Sequence, residues 1–395
     1  MTAKQAIEFF EPSPRLLMGP GPSGAHPSVL AAMGMPIIGH LDPDFLRLMD
    51  ECRTMIRDVF QTNNQFTLAT PGTGTSGMEA AVMNMLEPGD HAIIGTCGYF
   101  GGRIVEMAER TGAKVTRVDA EWGTAIEPET IRNVAKQNQP VKLIAIVHAE
   151  TSTGVQQPIE PISEIAKEFE ALLLIDCVTS LGGIPVKADE WEADILYSGT
   201  QKCLSAPPGA SPITLSEKAV QALSERKTLP NTWYLDLQKL EAYWDNRRAY
   251  HHTSPISMLY ALHRALAITL AEGLENRWER HERNGKSLQN GLEALGLELL
   301  AKEAVRLPVL TTVRIPESID GDLLKSELLT NFSTEIAGGL GNLKGKIWRV
   351  GLMGESSTPD NVLFFLSAFG LLLRKHGFKA DVTAALDSAA KTLNV

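Results

Sequence analysis

Between residues 66 and 200, short apolar segments alternate with longer segments in which apolar residues recur at helical spacing. Three of the apolar segments, KLIAIVHAE (142–150), ALLLID (171–176) and ADILYSG (193–199), contain almost no alternating polar positions. Strands of this kind are buried on both faces, as in a parallel sheet that helices cover. The pattern predicts an α/β fold with a mostly parallel sheet, to which SPITLS (211–216) adds one antiparallel strand.

The chain divides into three parts by pattern. Residues 1–30 are expected to form an N-terminal arm, and residues 31–270 a large domain that contains the sheet. The character changes after about residue 260, where a long helical segment (256–295) leads out of the large domain. Two strands, LTTVRIP (310–316) and IWRVGL (347–352), and a helix at 358–377 then predict a smaller α+β domain over residues 271–395.

Composition narrows the class of protein. Of 395 residues, 44% are hydrophobic and 21% are charged, as in an ordinary globular protein. The formal net charge of −10 argues against nucleic acid or an anionic membrane as the main partner. The four cysteines form no CxxC pair, so no metal site is expected. The chain shows neither a signal-peptide core nor an apolar run near the roughly 18 residues that span a bilayer, so we expect a cytoplasmic protein.

The first strand of the series, FTLAT (66–70), leads into a glycine-rich loop, GTGTSG (72–77). Its GxGxxG spacing is also that of a dinucleotide-binding loop, which needs an acid at the end of the next strand. That strand is followed by Thr96 and Cys97 instead, which disfavours a nicotinamide cofactor. What remains is a helix N-terminus with free backbone N–H groups and neighbouring hydroxyls, which suits a single phosphate. A plain tight turn with an N-cap is the alternative.

Three further residues follow other strands of the predicted sheet. Phe100 comes after the second strand and offers a flat wall for a ring, although core packing explains it equally well. Asp176 ends a buried strand, as either a cap or the partner of a buried cation. Lys202 follows the next strand, where a surface lysine would be the ordinary interpretation. Parallel strands present their carboxyl ends at one edge. A phosphate loop, a ring wall, a carboxylate and an amine at that edge together point to pyridoxal 5′-phosphate.

A set of segments spread over nearly the whole chain carries a family resemblance. They are LLMGPGPS (16–23), GTGTSGMEAAVMNMLEPGD (72–90), HAETSTGVQQP (148–158), LLLIDCVTSLGG (172–183), DILYSGTQKCLSAPPG (194–209), YHHTSPISMLYAL (250–262), GLEN (273–276) and IWRVGLMG (347–354). The chain resembles the fold-type I, class V pyridoxal-phosphate aminotransferases, most closely the alanine–glyoxylate and serine–glyoxylate aminotransferases. No single segment is specific for this family, but the whole set of segments is.

The resemblance implies roles for individual residues. Lys202 would be the Schiff-base lysine and proton carrier, and Asp176 the partner of the pyridine nitrogen. Arg349 would clamp the substrate carboxylate, and Gly21 in GPGP (19–22) would line a pocket for a small side chain. The other implied cofactor contacts are Thr73, Gly74, Thr75 and Gln201 at the phosphate, Phe100 where relatives often have tryptophan, Ser152 near the ring hydroxyl, and Tyr250 and Thr253 from the neighbouring subunit of a homodimer.

The expected reaction is transfer of an amino group from alanine or serine to glyoxylate, which gives glycine and a 2-oxo acid. A class V transaminase with another donor (aminoethylphosphonate, phosphoserine or ureidoglycine) is an alternative, as is a non-catalytic scaffold subunit. A cysteine desulfurase is disfavoured, because that activity needs a cysteine in the C-terminal region and none follows Cys203.

Overall fold

The computed structural model describes residues 10–394. Its helices, in chain order, are α1 (Pro27–Met33), α2 (Pro43–Phe60), α3 (Gly74–Met85), α4 (Tyr99–Arg110), α5 (Pro128–Gln137), α6 (Glu160–Glu168), α7 (Glu217–Ser224), α8 (Leu237–Trp244), α9 (Ile256–Glu272), α10 (Leu274–Ala294), α11 (Gly321–Phe332), α12 (Pro359–Lys375) and α13 (Val382–Leu393). Short 3₁₀ turns lie at Glu303–Val305, Gly341–Leu343 and Gly354–Ser356.

The strands form one large sheet and several small ones. In chain order they are β1 (Leu16–Leu17), β2 (Phe66–Gly72), β3 (His91–Thr96), β4 (Lys114–Asp119), β5 (Leu143–Val147), β6 (Ala149–Glu150), β7 (Val155–Gln156), β8 (Leu172–Asp176), β9 (Ile195–Tyr197), β10 (Gly209–Leu215), β11 (Leu310–Arg314), β12 (Thr334–Glu335), β13 (Ala337–Gly338) and β14 (Ile347–Gly351).

The central sheet has seven strands in the order β2-β10-β9-β8-β5-β3-β4. Strand β10 runs antiparallel to both of its neighbours, and the other pairs are parallel. This confirms the predicted α/β class and the single antiparallel strand. Every residue of β3, β5, β8 and β9 is buried. Since both faces of these strands are covered, the environment favours apolar residues, and the polar exceptions His91, Thr96 and Asp176 lie at strand ends.

Strand register places two polar residues side by side at one edge of this sheet. Asp176, the last residue of β8, pairs with Tyr197, the last residue of β9, and with Val147, the last residue of β5. The remaining parallel strands run in the same direction, so their carboxyl ends meet at this edge.

A second hydrophobic core lies in the C-terminal third of the chain, around the antiparallel sheet β11-β14-β13. Trp348 of this sheet packs edge-on against Phe369 of α12, and Phe369 stacks on Phe365 with ring centroids 5.0 Å apart. Strand β1 of the N-terminal segment pairs with β12, and Met18 is buried in this second core. The N-terminal segment therefore crosses from the small core toward the large one. The domain limits at residues 30 and 270 stay a prediction.

The long helical segment predicted at 256–295 is two helices rather than one. Gly273 separates α9 from α10 and has a φ of +83°, which a side chain would disfavour. Within residues 10–394, no helix is both long and apolar enough to cross a membrane. The cytoplasmic location stays a prediction.

Candidate active site

One cavity lies at the carboxyl edge of the central sheet. Its walls come from segments that follow β2, β3, β5, β8 and β9 in the sequence. The lining residues are Gly74, Thr75, Met78, Phe100, Arg103, Val147, Ala149, Thr151, Asp176, Val178, Thr179, Gln201 and Lys202. Six of the residues singled out in the sequence are in this set: Gly74, Thr75, Phe100, Asp176, Gln201 and Lys202. The fold therefore brings strand ends that are distant in sequence into one site.

The first turn of α3 forms an anion-binding corner of the cavity. Thr73 is the N-cap residue but its side chain makes no capping hydrogen bond, so the first amides of α3 lack a side-chain acceptor. Gly74 lies against Val178, where a Cβ would come within 2.9 Å of a methyl carbon. Close by, Oε1 of Gln201 is buried and has no hydrogen-bond partner among the described residues. Free helix amides are suited to a phosphate, and the group of Gln201 that could donate to one is Nε2 rather than Oε1. Thr73 itself is exposed.

Phe100 lies in the first turn of α4 and is partly buried. Its ring meets the Tyr99 ring edge-on, with centroids 5.8 Å apart. The Arg103 guanidinium lies 5.1 Å from the centroids of both rings. Phe100 and Val178 line the same cavity, and each offers an apolar surface to a flat ligand.

Asp176 is a buried carboxylate with two neutral donors. Its Oδ1 accepts a hydrogen bond from the backbone N–H of Val178 and its Oδ2 accepts one from the Tyr197 hydroxyl, both at 2.8 Å. Burial raises the pKa of Asp176 to about 6, and these two hydrogen bonds oppose that rise. Above that pH the side chain is a carboxylate, and among the described residues it forms no salt bridge. A cationic ligand atom in the cavity would supply the missing partner.

Lys202 enters the cavity from the turn after β9. Its ammonium donates a hydrogen bond to the backbone carbonyl of Pro20. Gly21 packs directly on the lysine, and a Cβ there would lie 2.7 Å from Nζ. Burial, and then the positive charge of Arg349, lower the pKa of Lys202 to about 8. A half-buried lysine with this pKa is suited to act as an amine nucleophile and base.

Arg349 approaches from the middle of β14 in the small sheet. It is 6% exposed, and its Nε donates to the carbonyl of Gly338 at 2.7 Å. One terminal nitrogen donates to the carbonyl of Thr151, a cavity-lining residue, at 3.4 Å. Burial lowers the pKa of Arg349 to about 10, so the side chain stays cationic at neutral pH. It is thus a positive group held near the cavity by neutral carbonyl oxygens alone.

Six of the residues singled out in the sequence are not among the lining residues of the cavity: Thr73, Gly21 and Arg349, which lie close to it as described above, and Ser152, Tyr250 and Thr253. Ser152 is fully buried behind it, where its hydroxyl bonds Glu150 and the backbone N–H of Tyr99. Tyr250 is 63% exposed and its ring contacts His40, on a surface outside the cavity. Thr253 is exposed beside a buried histidine pair.

Sequence reasoning missed Tyr197, Arg103 and Thr179. A signal existed for Tyr197, because a tyrosine in a fully buried strand needs a hydrogen-bond partner for its hydroxyl. Arg103 stands three residues after Phe100, a spacing that places two side chains on the same face of a helix. Nothing in the local sequence distinguishes Thr179 from an ordinary turn residue.

Known proteins resemble this chain over most of its length. A family profile described as Aminotransferase class-V matches residues 31–339. The chain is 40% identical over 393 residues to an (S)-ureidoglycine–glyoxylate transaminase of Bacillus subtilis, which covers 95% of this chain and 94% of that protein. It is 42% identical over 352 residues to an alanine–glyoxylate aminotransferase of Oryctolagus cuniculus, over 88% of this chain and 90% of that one. The crystal structure of an alanine–glyoxylate aminotransferase from Nostoc sp. superposes with a TM-score of 0.91 at 48% identity, over 94% and 98% of the two chains.

Proposed function

Because the chain belongs to the class V aminotransferases, we propose that it transfers the amino group of alanine or serine to glyoxylate, with pyridoxal 5′-phosphate as cofactor. The products are glycine and the 2-oxo acid of the donor. The observation that carries the proposal is that Lys202 and Asp176, from separate strand ends, line one cavity. An amine and a buried carboxylate that face one space are what a pyridoxal ring requires.

The other residues of the cavity fit the cofactor group by group. The phosphate suits the uncapped first turn of α3 and the side-chain NH₂ group of Gln201, which lines the same cavity. The ring suits the apolar surface of Phe100 and Val178. A protonated ring nitrogen would give the Asp176 carboxylate the cationic partner that it lacks among the described residues.

When bound, pyridoxal phosphate supplies an aldehyde that bonds to amines and a protonated ring that draws electrons from an adjacent carbon. With a pKa of about 8, roughly a quarter of Lys202 is neutral at pH 7.5, against about 0.1% at the ordinary value of 10.5. The neutral Nζ would hold the cofactor by bonding to its aldehyde carbon with loss of water, and, when displaced by the amine of the substrate, would take up the proton from the substrate Cα. Asp176 would keep the proton on the ring nitrogen.

Substrate selection follows from charge and space. Two arginines are close to the cavity. Arg103 lies over the Tyr99 and Phe100 rings, whereas Arg349 is buried and bonds the carbonyl of the lining residue Thr151, so we assign Arg349 to the carboxylate that amino acids and 2-oxo acids share. Gly21 lies in contact with Lys202 and leaves little room near Nζ, which favours donors with short side chains.

A second donor has a specific observation in its favour. The Bacillus subtilis relative is named for (S)-ureidoglycine, and its identity to this chain is close to that of the alanine–glyoxylate aminotransferases. Both names contain glyoxylate, so glyoxylate as the acceptor has more support than any one donor.

We also assign a homodimer with shared sites. Six large apolar side chains are exposed on segments around Tyr250: Met35, Ile37, Leu41, Trp233, Tyr234 and Tyr250. Ring contacts from His40 to Tyr250 and from Trp233 to His251 join these segments into one surface. A surface of this kind is typical of a protein interface. In the proposed dimer, Tyr250 and Thr253 reach the phosphate of the partner subunit.

Donor profiling tests the function. The purified protein with pyridoxal phosphate is given glyoxylate and, in turn, alanine, serine, (S)-ureidoglycine, phosphoserine and aminoethylphosphonate, and glycine is measured. We expect turnover with alanine or serine, and none with Lys202→Ala, which also loses the visible absorbance of the lysine-bound cofactor. Turnover with (S)-ureidoglycine alone would replace the proposed donor. A wild-type protein that binds no pyridoxal phosphate would refute the assignment.

A further inference from the structure

Glu150 is a fully buried carboxylate behind the cavity, and the proposed reaction gives it no role. It is the last residue of β6. Its Oε2 accepts hydrogen bonds from the backbone N–H groups of Phe100 at 3.0 Å and Gly101 at 3.3 Å. Its Oε1 accepts from the backbone N–H of Ser152 at 3.0 Å and from the Ser152 hydroxyl at 2.6 Å. One side chain therefore joins the start of α4 to the segment that follows β6.

All four of these partners are donors, so both oxygens of Glu150 act as acceptors. A protonated carboxyl would turn its O–H toward a backbone N–H that is already donating, or would reverse the bond with the Ser152 hydroxyl. Burial raises the pKa of Glu150, and the four hydrogen bonds oppose that rise. The position at the N-terminus of α4 also favours the anion, because the helix dipole is positive there.

Helix α4 has no N-cap side chain of its own, because the N-cap residue is Gly98. Instead, the N–H of Tyr99 donates to the Ser152 hydroxyl at 2.8 Å, and the next two amides donate to Glu150. A Cβ on Gly98 would overlap the side chains of Glu150 and Ser152. Glycine at 98 therefore leaves the space through which the carboxylate reaches the helix.

The residues that this cap holds are those that face the cavity. Phe100 and Arg103 line it from the first two turns of α4, and the Phe100 amide bonds Glu150 directly. A small change at the start of the helix would therefore move the apolar wall. We propose that Glu150 is a positioning residue, which fixes Phe100 against the cofactor ring by capping α4 from a neighbouring segment. This inference rests on the proposed binding of pyridoxal phosphate.

The test compares Glu150→Gln with Asp236→Ala. The glutamine is isosteric, but its NH₂ group would face donors in place of an acceptor oxygen. Asp236 caps α8 through the backbone N–H groups of Gln238 and Lys239 and lies outside the cavity, so its loss reports the effect of removing a helix cap alone. The readouts are the pyridoxal phosphate affinity of the cofactor-free protein and the visible circular dichroism of the bound cofactor. We expect Glu150→Gln to weaken the affinity about tenfold and change the dichroism, while Asp236→Ala lowers only the melting temperature.

A double-mutant cycle with Phe100→Leu shows whether Glu150 acts through the ring. We expect Glu150→Gln to weaken affinity by less than about twofold in the Phe100→Leu background. Glu150→Asp, which keeps the charge but shortens the reach, should fold and lose affinity too, and it replaces Glu150→Gln if that variant is unstable. Two results would overturn this inference while leaving the proposed function intact. One is wild-type affinity and dichroism in both Glu150→Gln and Glu150→Asp, and the other is an equal loss of affinity from Glu150→Gln in the wild-type and Phe100→Leu backgrounds. A wild-type chain that binds no pyridoxal phosphate would overturn the proposed function with it.

Discussion

The Tyr197 hydroxyl bonds Asp176, the carboxylate that we propose as the partner of the ring nitrogen, and Tyr197→Phe removes that hydroxyl with little other change. The hydroxyl donates to Oδ2 of Asp176 at 2.8 Å, and the tyrosine ring is completely buried at the end of β9. The substitution leaves the ring packing in place. Asp176 would keep one donor, the backbone N–H of Val178.

The size of the effect follows from the hydrogen bond. A hydrogen bond to a charged acceptor contributes about 1.5–3 kcal/mol, which corresponds to about 1–2 pH units in a pKa. The pKa of Asp176 is already raised to about 6 by burial, against the Val178 and Tyr197 hydrogen bonds. Without the hydroxyl the neutral acid is favoured further, so the pKa should rise to roughly 7–8. At neutral pH much of the carboxylate that attracts a pyridinium would then be lost.

The assay measures the affinity of the cofactor-free protein for pyridoxine 5′-phosphate between about pH 5 and pH 9. This compound has no aldehyde, so the ionisation of Lys202 does not enter through covalent attachment. Affinity should fall with decreasing pH through a midpoint near 6 in the wild type, and through a midpoint about 1–2 pH units higher in Tyr197→Phe. The control for the midpoint shift is Tyr260→Phe, which removes a phenolic hydroxyl that donates to the carbonyl of Pro36 instead. Equal midpoints in wild type and Tyr197→Phe would refute the reasoning.

Three further perturbations have defined outcomes. Asp176→Asn should stabilise the cofactor-free protein by up to about 3 kcal/mol near pH 8, because the native pKa is raised from 3.8 to about 6. Below about pH 3.8 the acid is neutral in both the folded and the unfolded states, so the difference in stability between Asp176→Asn and the wild type should vanish there. Urea midpoints that are the same for the two proteins at both pH values would contradict this. Gly21→Ala places a Cβ 2.7 Å from Lys202 Nζ at a φ of +104° and should lower kcat more than about tenfold. The control is Gly19→Ala, where the nearest atom to the added Cβ is 3.9 Å away and kcat should hardly change. Arg349→Lys should raise KM for donor and acceptor by about 30- to 100-fold with cofactor affinity unchanged, since a bidentate fork is lost; unchanged KM values would remove Arg349 from substrate binding.

Much of the architecture was accessible from the residue pattern. Strand β8 is apolar up to its final aspartate and buried throughout, as the segment ALLLID (171–176) indicates. Asp176 and Lys202 were identified because a charged residue at the end of a buried strand, or in the turn that follows one, is costly to bury unless the fold gives it a partner. The break at Gly273 was visible as a glycine, but helix periodicity on both sides obscured it.

The contacts that organise the site were not accessible in this way. Glu150 caps a helix that begins about fifty residues earlier in the chain, and Tyr197 bonds a carboxylate from a neighbouring strand. Periodicity reports which face of a segment is buried, not which distant segment meets it. Strand order in the sheet decides these meetings, and it was not predicted. The pairing of β1 with β12 could not be predicted for the same reason, because no local signal in Leu16–Leu17 identifies a partner strand in the C-terminal third of the chain.

The charges around the cavity are arranged differently from those elsewhere in the molecule. Outside it, Arg277 forms a salt bridge with Glu272 at 2.6 Å, and Arg53 pairs with Glu241. Around the cavity, Lys202, Arg349 and Asp176 have only neutral hydrogen-bond partners among residues 10–394: carbonyl oxygens for the cations, and an amide and a phenol for the anion. An ion pair formed within the protein would have to break before a ligand charge took its place. Neutral partners instead hold each charge in position at a cost in folding free energy. A ring cation beside Asp176 and a substrate carboxylate beside Arg349 would recover part of that cost on binding.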